Sequence, residues 1–521
     1  MKRRDFVKNI SLASVAAPFI LNDLKFQAIG KELFSTEKSA EDKVLIIIRL
    51  GGGNDGLNTV IPLDQYDNLV IQRPNIIIPE SSILSLTAAS TIGLHPSMTG
   101  MQSMFNNGKM GIIQNVGYPE QNRSHFRSSD IWHTGLMDPS ASTGWLGRDF
   151  DSLYPNFPTD YPNTDYPDPF AISMGSEVSA TCQGLMGNFS HTVEDPTDTF
   201  NLTESTQVND GSYFGSHMEY LSTIISQTNA YGTTVQAAAS AGQSLSNLYD
   251  VNNPIAIQLR YIAKMISGGL KTKVYILNIN GFDTHDSQVT STNVTLGNHA
   301  DLLKKLSDAV NAFQDDLALL NLESRVAGMT YSEFGRQIAS NASLGTDHGD
   351  AAPLFLFGTC IGQLVVGANP VIGNQIVDQE GVNMQIDFRD VYASVLKNWF
   401  EIPEADVQAL FEEHQVTFYG FLNGCSVGLN ENSKDISKAI VFPNPASNQA
   451  TIRFTSQNEW VKVEILDLTG KNIASVYDGK LSQDTHSILY ELTDISSGQY
   501  MVVIKKKSGI ETVKFLKVKA I

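Results

Sequence analysis

Five short stretches bring acids, histidines, arginines and a serine to the ends of apolar runs. The first, Gly51-Gly52-Gly53-Asn54-Asp55-Gly56, directly follows Val44–Leu50. Glycine tolerates positive φ and lets an ion or ligand approach the backbone, so this turn suits presentation of the Asp55 carboxylate. Gly51, Gly53 and Gly56 fit GxGxxG formally, but Asn58-Thr59-Val60-Ile61-Pro62 does not supply the helix a dinucleotide site needs. The second stretch is Asn122-Arg123-Ser124-His125-Phe126, in which Ser124 precedes a helix expected to begin near His125. Such a serine suits an N-cap, and equally a group that meets anions at a helix N-terminus. In the third, Asp283-Thr284-His285, a carboxylate and an imidazole two apart on a loop can share one ion. The last two are Ser332-Glu333-Phe334-Gly335-Arg336 and Gly345-Thr346-Asp347-His348-Gly349-Asp350. Singly, each acid reads as a cap and each histidine as a surface residue. Together around one sheet they would repel one another unless cations neutralised them.

The elements that must position these groups are continuous apolar runs, which read as strands buried on both faces: Lys43–Leu50, Gly111–Val116, Ala171–Met174, Lys273–Ile279, Val326–Tyr331 and Leu354–Phe357. Helical stretches alternate with them, notably Tyr213–Ile225, Pro254–Ile266, His299–Leu320 and Val391–Phe400. That order predicts an α/β domain over about 40–425 with a doubly wound, mostly parallel sheet. In such sheets ligands bind beyond the carboxyl ends of the strands, where the five stretches fall. The Pro- and Asn-rich segments 153–168 and 188–210 read as long surface loops.

The 521 residues carry a formal net charge of −19, which repels a nucleic-acid backbone and excludes nucleic acid as an expected partner. Cys182, Cys360 and Cys425 show no CxxC pairing and read as small buried apolar residues. Lys2-Arg3-Arg4-Asp5-Phe6 before the short apolar run Ile10–Leu21 resembles a twin-arginine export signal, with a leader over 1–35. No run reaches the roughly 18 apolar residues of a transmembrane segment. After a polar linker at 426–437, short alternating runs separated by turn residues predict a small β-sandwich over 438–521.

That C-terminal segment resembles the sorting domain of the type IX secretion system. The resemblance rests on Phe442-Pro443-Asn444-Pro445, Val463-Glu464-Ile465-Leu466-Asp467 followed by Gly470-Lys471, Ser497-Gly498-Gln499-Tyr500, and a last strand bearing Lys514, Lys517 and Lys519. It implies passage through the periplasm and outer membrane by the twin-arginine and type IX machinery, ending in secretion or outer-surface attachment. The segments Gly51–Asn58, Asn122–Gly135, Gly281–Gln288, Ser332–Arg336 and Gly345–Gly349 resemble the bacterial family of domain of unknown function 1501, grouped with the alkaline phosphatase and sulfatase superfamily. By order along the chain, this resemblance implies an alkaline phosphatase-like fold. It also implies Ser124 as a metal-activated nucleophile and Asp55, Asp283, His285, Glu333, Asp347 and His348 as candidate ligands of one or two divalent ions (Zn, Mn, Mg or Ca). Arg123 or Arg336 would clamp the anion or serve as a structural ion-pair partner. The implied activity is hydrolysis of a phosphate or sulfate ester on a small molecule or glycan; the alternative is a non-catalytic, metal-containing surface binding or assembly protein. Two departures stand out. Asp283 and His285 are only two apart, and Glu333-Phe334 stands where the superfamily has an Asp-His pair.

Overall fold

The computed structural model describes residues 43–197, 202–203, 211–422, 440–442, 446–467, 471–482, 484–493, 495–507 and 509–518. The expected leader (1–35), the linker (426–437) and Pro443-Asn444-Pro445 lie outside the described residues. The chain divides into two compact units, Met1–Val427 and Gly428–Ile521.

In the first unit the strands are β1 (Val44–Gly51), β2 (Val60–Pro62), β3 (Leu84–Leu86), β4 (Ala89–Leu94), β5 (Met110–Gly117), β6 (Ala171–Met174), β7 (Ser190–Val193), β8 (Val274–Asn280), β9 (Val326–Tyr331), β10 (Ala352–Phe357), β11 (Val365–Val366) and β12 (Ile386–Asp387). β2, β4 and β3 form a small antiparallel sheet. The others form a nine-stranded sheet in the order β11-β5-β10-β9-β1-β8-β6-β7, with β12 also pairing β5. Pairing is parallel except at β10, which runs antiparallel to both β5 and β9. The strand entered through the Asp347-His348 loop therefore begins where β1, β8 and β9 end. With β5 running in the same sense as β9, all five chemically interesting loops lie at one end of the sheet.

Five of the helices are α1 (His125–Thr134), α2 (Tyr213–Ala241), α3 (Pro254–Ser267), α4 (Asn298–Leu319) and α5 (Phe388–Asn398). The alternation of β1 separates two cores. Ile46, Ile48 and Leu50 pack with Val235, Leu259 and Leu303 of α2, α3 and α4. Leu45 and Ile47 pack with Ile131, Trp132, Tyr392 and Leu396 of α1 and α5. Helices on both faces of a mostly parallel sheet make the expected doubly wound architecture. Cys182 is a free, buried thiol as read from the sequence, whereas Cys360 is disulfide-bonded, which corrects its reading as a mere apolar filler. Cys425 lies outside the described residues.

The second unit has strands β13 (Ile440–Phe442), β14 (Gln449–Ser456), β15 (Glu459–Asp467), β16 (Asn472–Leu481), β17 (Asp484–Glu491), β18 (Gly498–Lys506) and β19 (Gly509–Lys517). They pair as two antiparallel sheets, β13-β14-β17 and β16-β15-β18-β19. Ile452 and Phe454 of the first sheet share one core with Val463, Ile465, Val502 and Ile504 of the second, as a sandwich requires.

Candidate metal centre

Three imidazoles turn their Nε2 atoms toward one carboxylate, that of Asp283. His348 Nε2 stands 3.0 Å and His285 Nε2 3.1 Å from Asp283 Oδ1, and His125 Nε2 stands 3.4 Å from Oδ2. The other nitrogen of each ring is held by a different group. His348 Nδ1 donates to the Arg123 carbonyl (2.8 Å), because a carbonyl only accepts. His285 Nδ1 meets Asp347 Oδ1 at 2.7 Å and His125 Nδ1 meets Glu333 Oε1 at 3.0 Å. A carboxylate or carbonyl behind each imidazole orients the ring and raises its basicity, the arrangement found around metal-bound histidines.

With Nδ1 of His348 and of His285 engaged by Arg123 and Asp347, their Nε2 atoms face each other across 2.9 Å. His125 Nε2 is buried and has no hydrogen-bond partner. Burial works against ionisation of Asp283, yet hydrogen bonds from Arg336 and His348 and the charges of Arg336 and His285 hold its pKa down at about 2. Burial lowers the pKa of His348 and outweighs its bond to Asp283. One atom each of His125, Asp283 and His348 lie within 4.8 Å of one another, a spacing that could hold a metal ion. Their mixed N/O character fits Zn²⁺ or Mn²⁺ better than Mg²⁺ or Ca²⁺.

The backbone that frames this cluster answers to the glycines. Gly52 (φ 121°) lies so close to the Asp283 loop that a Cβ would meet the Asp283 amide nitrogen at 2.3 Å. At Gly53 (φ 83°) a Cβ would enter the Phe334 ring at 2.4 Å. Freed of side chains, the turn sends the Gly52 N–H to Glu333 Oε1 (2.9 Å). Phe334 in turn packs its ring against His125 (4.9 Å) and His348 (4.6 Å), which accounts for an aromatic residue after Glu333.

The expected site residues fall into three groups. Asp283, His285 and His348 stand in the cluster; Asp347 and Glu333 stand behind it as imidazole partners. Burial opposes ionisation of Glu333, but the His125 hydrogen bond, Arg49 and the Gly52 N–H together keep its pKa below the usual value. The same bond raises the pKa of His125. Asp55 lies elsewhere, fully buried: Arg73 Nη1 reaches both its oxygens at 2.9 and 2.7 Å, and Gln288 Nε2 donates to Oδ2 at 2.6 Å. Both expected clamp arginines are occupied. Arg123 is bidentate to Asp350 (2.9 and 2.7 Å) and donates to the Gln379 carbonyl. Arg336 is buried and donates to the carbonyls of Gly52, Gly53, Phe282 and Thr346 and to Asp283 Oδ1 (2.8 Å). Ser124 is the N-cap residue of α1, exposed, and its side chain makes no capping hydrogen bond. Sequence reasoning missed His125 as a member of the cluster, although it sits next to Ser124 at the helix start. It also missed Arg73 and Arg49, which carry no motif of their own.

Among solved structures, the chain is similar to the PsFucS1 sulfatase from Pseudoalteromonas sp., with 9% identity over 88% of this chain and 85% of that one (TM-score 0.28). It is also similar to a protein in the alkaline phosphatase superfamily from Vibrio parahaemolyticus (8% identity, 97% and 91% covered, TM-score 0.29). An alkaline phosphatase from the Antarctic bacterium TAB5 is similar at 9% identity, with 71% and 98% covered and a TM-score of 0.24. No curated protein sequence matches. Identities this low leave the reaction to be read from the residues themselves. Residues 440–519 match a secretion system C-terminal sorting domain, which marks the chain for secretion or outer-surface attachment. Among the described residues no helix is long and apolar enough to cross a membrane. Residues 42–411 match the family described as protein of unknown function DUF1501, and the chain belongs to that family.

Proposed function

We propose that the chain is an exported, metal-dependent hydrolase of phosphate or sulfate esters, carried through the periplasm by its leader and over the outer membrane by the type IX machinery. One observation supports it above the others: the Nε2 atoms of His125, His285 and His348 converge on the ionised Asp283, with His125 Nε2 buried and making no hydrogen bond among the described residues. A divalent cation held by His125, Asp283 and His348, with His285 beside them, would supply positive charge for an anionic ester and lower the pKa of a nearby hydroxyl. Ser124 is the hydroxyl we assign. It precedes His125 at the start of α1, its side chain is not used as a cap, and helix N-termini favour anions. Its Oγ forms the new bond to phosphorus or sulfur as the bond to the ester oxygen breaks, its proton leaves with the departing alcohol, and water then cleaves the seryl ester, releasing the inorganic anion and restoring the Ser124 hydroxyl. Glu333 and Asp347 hold the imidazoles in place.

The second reading, a metal-containing binding or assembly protein, draws support from the pairing of Asp55 with Arg73, which leaves only one donor cluster among the candidates named. Elemental analysis of the purified chain, combined with aryl phosphate, phosphodiester and aryl sulfate substrates, separates the two. The hydrolase reading expects bound transition-metal dication and turnover that falls by on the order of 10³-fold in Ser124→Ala. Because Ser124 makes no capping bond, stability should stay within about 0.5 kcal/mol. Metal without turnover selects the second reading, and a chain that takes up no metal rejects both.

A further inference from the structure

With Arg123 and Arg336 committed to protein partners, a third guanidinium remains at the site. Arg49 is the last charged residue of β1, on the α1 side of the sheet, and its side chain is 21% exposed. Its Nη2 donates to Ser129 Oγ (2.8 Å) and stands 3.4 Å from Glu333 Oε1. Its Nε is buried with no partner, and no hydrogen bond from Nη1 is present among the described residues. Glu333 does not cancel it, since the same carboxylate also serves His125 and the Gly52 N–H. Burial first, and the Arg49 charge second, press the pKa of His133 on α1 down to about 4, with Glu333 opposing them.

The neighbouring strand leaves room beside this group. β8 pairs Arg49 with Asn278 and Gly51 with Asn280, and side chains at these positions share one face. β6 pairs β8 only through Ile276, so Asn278 and Asn280 project past its end and are exposed. Gly51, at the end of β1, has no side chain and so lets the Asn280 amide lie over it beside Arg49. A Cβ there would meet Asn280 Oδ1 at 2.5 Å and stand 3.8 Å from Arg49 Cζ.

We propose that Arg49, with the Asn278 and Asn280 amides, forms the oxyanion subsite of this centre and seats the phosphate or sulfate group, Gly51 leaving room for the Asn280 amide beside Arg49. This rests on the hydrolase reading for its biological role, but not for its binding chemistry. Arg49 touches the substrate anion and, through Glu333, the back of His125, so binding and the metal cluster share one carboxylate.

The test measures binding of inorganic phosphate and, separately, of sulfate to the metal-loaded full chain by titration calorimetry. Turnover is followed in parallel on any aryl ester the wild type cleaves. In Arg49→Gln, oxyanion binding should weaken at least tenfold with metal content unchanged, Arg49→Lys should recover part of it, and KM should rise more than kcat falls. Gly51→Ala leaves Arg49 in place and displaces the Asn280 amide, at a backbone conformation any residue adopts; it should weaken binding as well. Melting temperatures identify any variant that has merely unfolded. If wild type binds neither anion, or if Arg49→Gln and Gly51→Ala both bind as wild type does, the subsite is overturned while the hydrolase can stand. If binding depends on Arg49 but no ester is cleaved, the subsite stands and the hydrolase reading falls. The arm that binds more tightly, phosphate or sulfate, identifies the ester class.

Discussion

Two clusters of acid, histidine and arginine lie on either side of the Gly51–Gly56 turn, and they are opposite in kind. Behind the turn, Asp55, Arg73, Gln288, Asn54, Thr59 and His299 are buried and hydrogen-bond to one another, with Asn54 Nδ2 left without a partner among the described residues: Arg73 neutralises Asp55, and Asn54 Oδ1 meets His299 Nε2 at 2.9 Å. In front of it, Asp283 is 45% exposed and faces three imidazoles. A buried charge must be paired internally, so the rear cluster is a structural anchor. The front cluster is partly open, and a cation could reach its nitrogen and oxygen atoms. Residue type alone does not separate an anchor from a candidate site; burial and internal pairing do.

The largest expected effect follows from removing the internal partner. Arg73→Met leaves Asp55 ionised or protonated at a cost in a fully buried position. Chemical denaturation should show a loss of about 3–5 kcal/mol, the usual consequence of breaking a buried pair from one side. Metal content of the folded fraction should not change. Asp55→Leu combined with Arg73→Met should recover much of the loss, since nothing charged then remains unpaired. If Arg73→Met instead kept its stability and shed metal, Asp55 would belong with the ligands and the division between the clusters would be wrong.

Much of the front cluster could be read from the sequence because its loops follow continuous apolar runs. Val326–Tyr331 delivers Glu333, and the run ending at Asn280 delivers Asp283 and His285. Three features had no local signal. Arg73, 18 residues past Asp55, comes from the end of a short helix whose sequence says nothing about its target. The antiparallel sense of β10, which carries His348 to the parallel strands' carboxyl ends, is a matter of topology and not of periodicity. The small β2-β4-β3 sheet was missed because its strands are three to six residues long and interrupted by turns. His125 was overshadowed by Ser124, although the pairing of a histidine with a distant buried glutamate is what places the helix start in the site.

An intermediate effect is expected at the carboxylate that backs His125. Glu333→Gln keeps a hydrogen-bond acceptor for Nδ1 but removes the charge that makes the imidazole more basic. Metal affinity, measured by competition with a chromophoric chelator, should fall roughly 10–100-fold, as for other groups behind a liganding histidine. Arg49 would meanwhile lose its nearest counter-charge, so oxyanion binding should hold or tighten. An unchanged metal affinity would mean that His125 stands outside the coordinating set.

The smallest effect belongs to the rear cluster and is read as pH dependence. Burial, reinforced by the neighbouring His299, lowers the pKa of His95 to about 3. Burial lowers that of His299 to about 4, with Arg336 and Arg73 adding to it and Asp55 opposing it. Both residues are therefore neutral in the folded protein, as their hydrogen bonds require: the Ser97 N–H donates to His95 Nδ1 at 3.1 Å. In the unfolded chain each takes a proton near its ordinary pKa of about 6.5. Between that value and the folded values the unfolded state binds more protons, so stability must fall as pH is lowered through 6.5. Together the two should cost roughly 2 kcal/mol between pH 7 and pH 5.5. Denaturation of His95→Gln at both pH values isolates one of them, because glutamine cannot titrate and the loss over this interval should shrink by about 1 kcal/mol. A slope that survives this change and follows the metal instead would mean that the front cluster, not the anchor, sets acid stability.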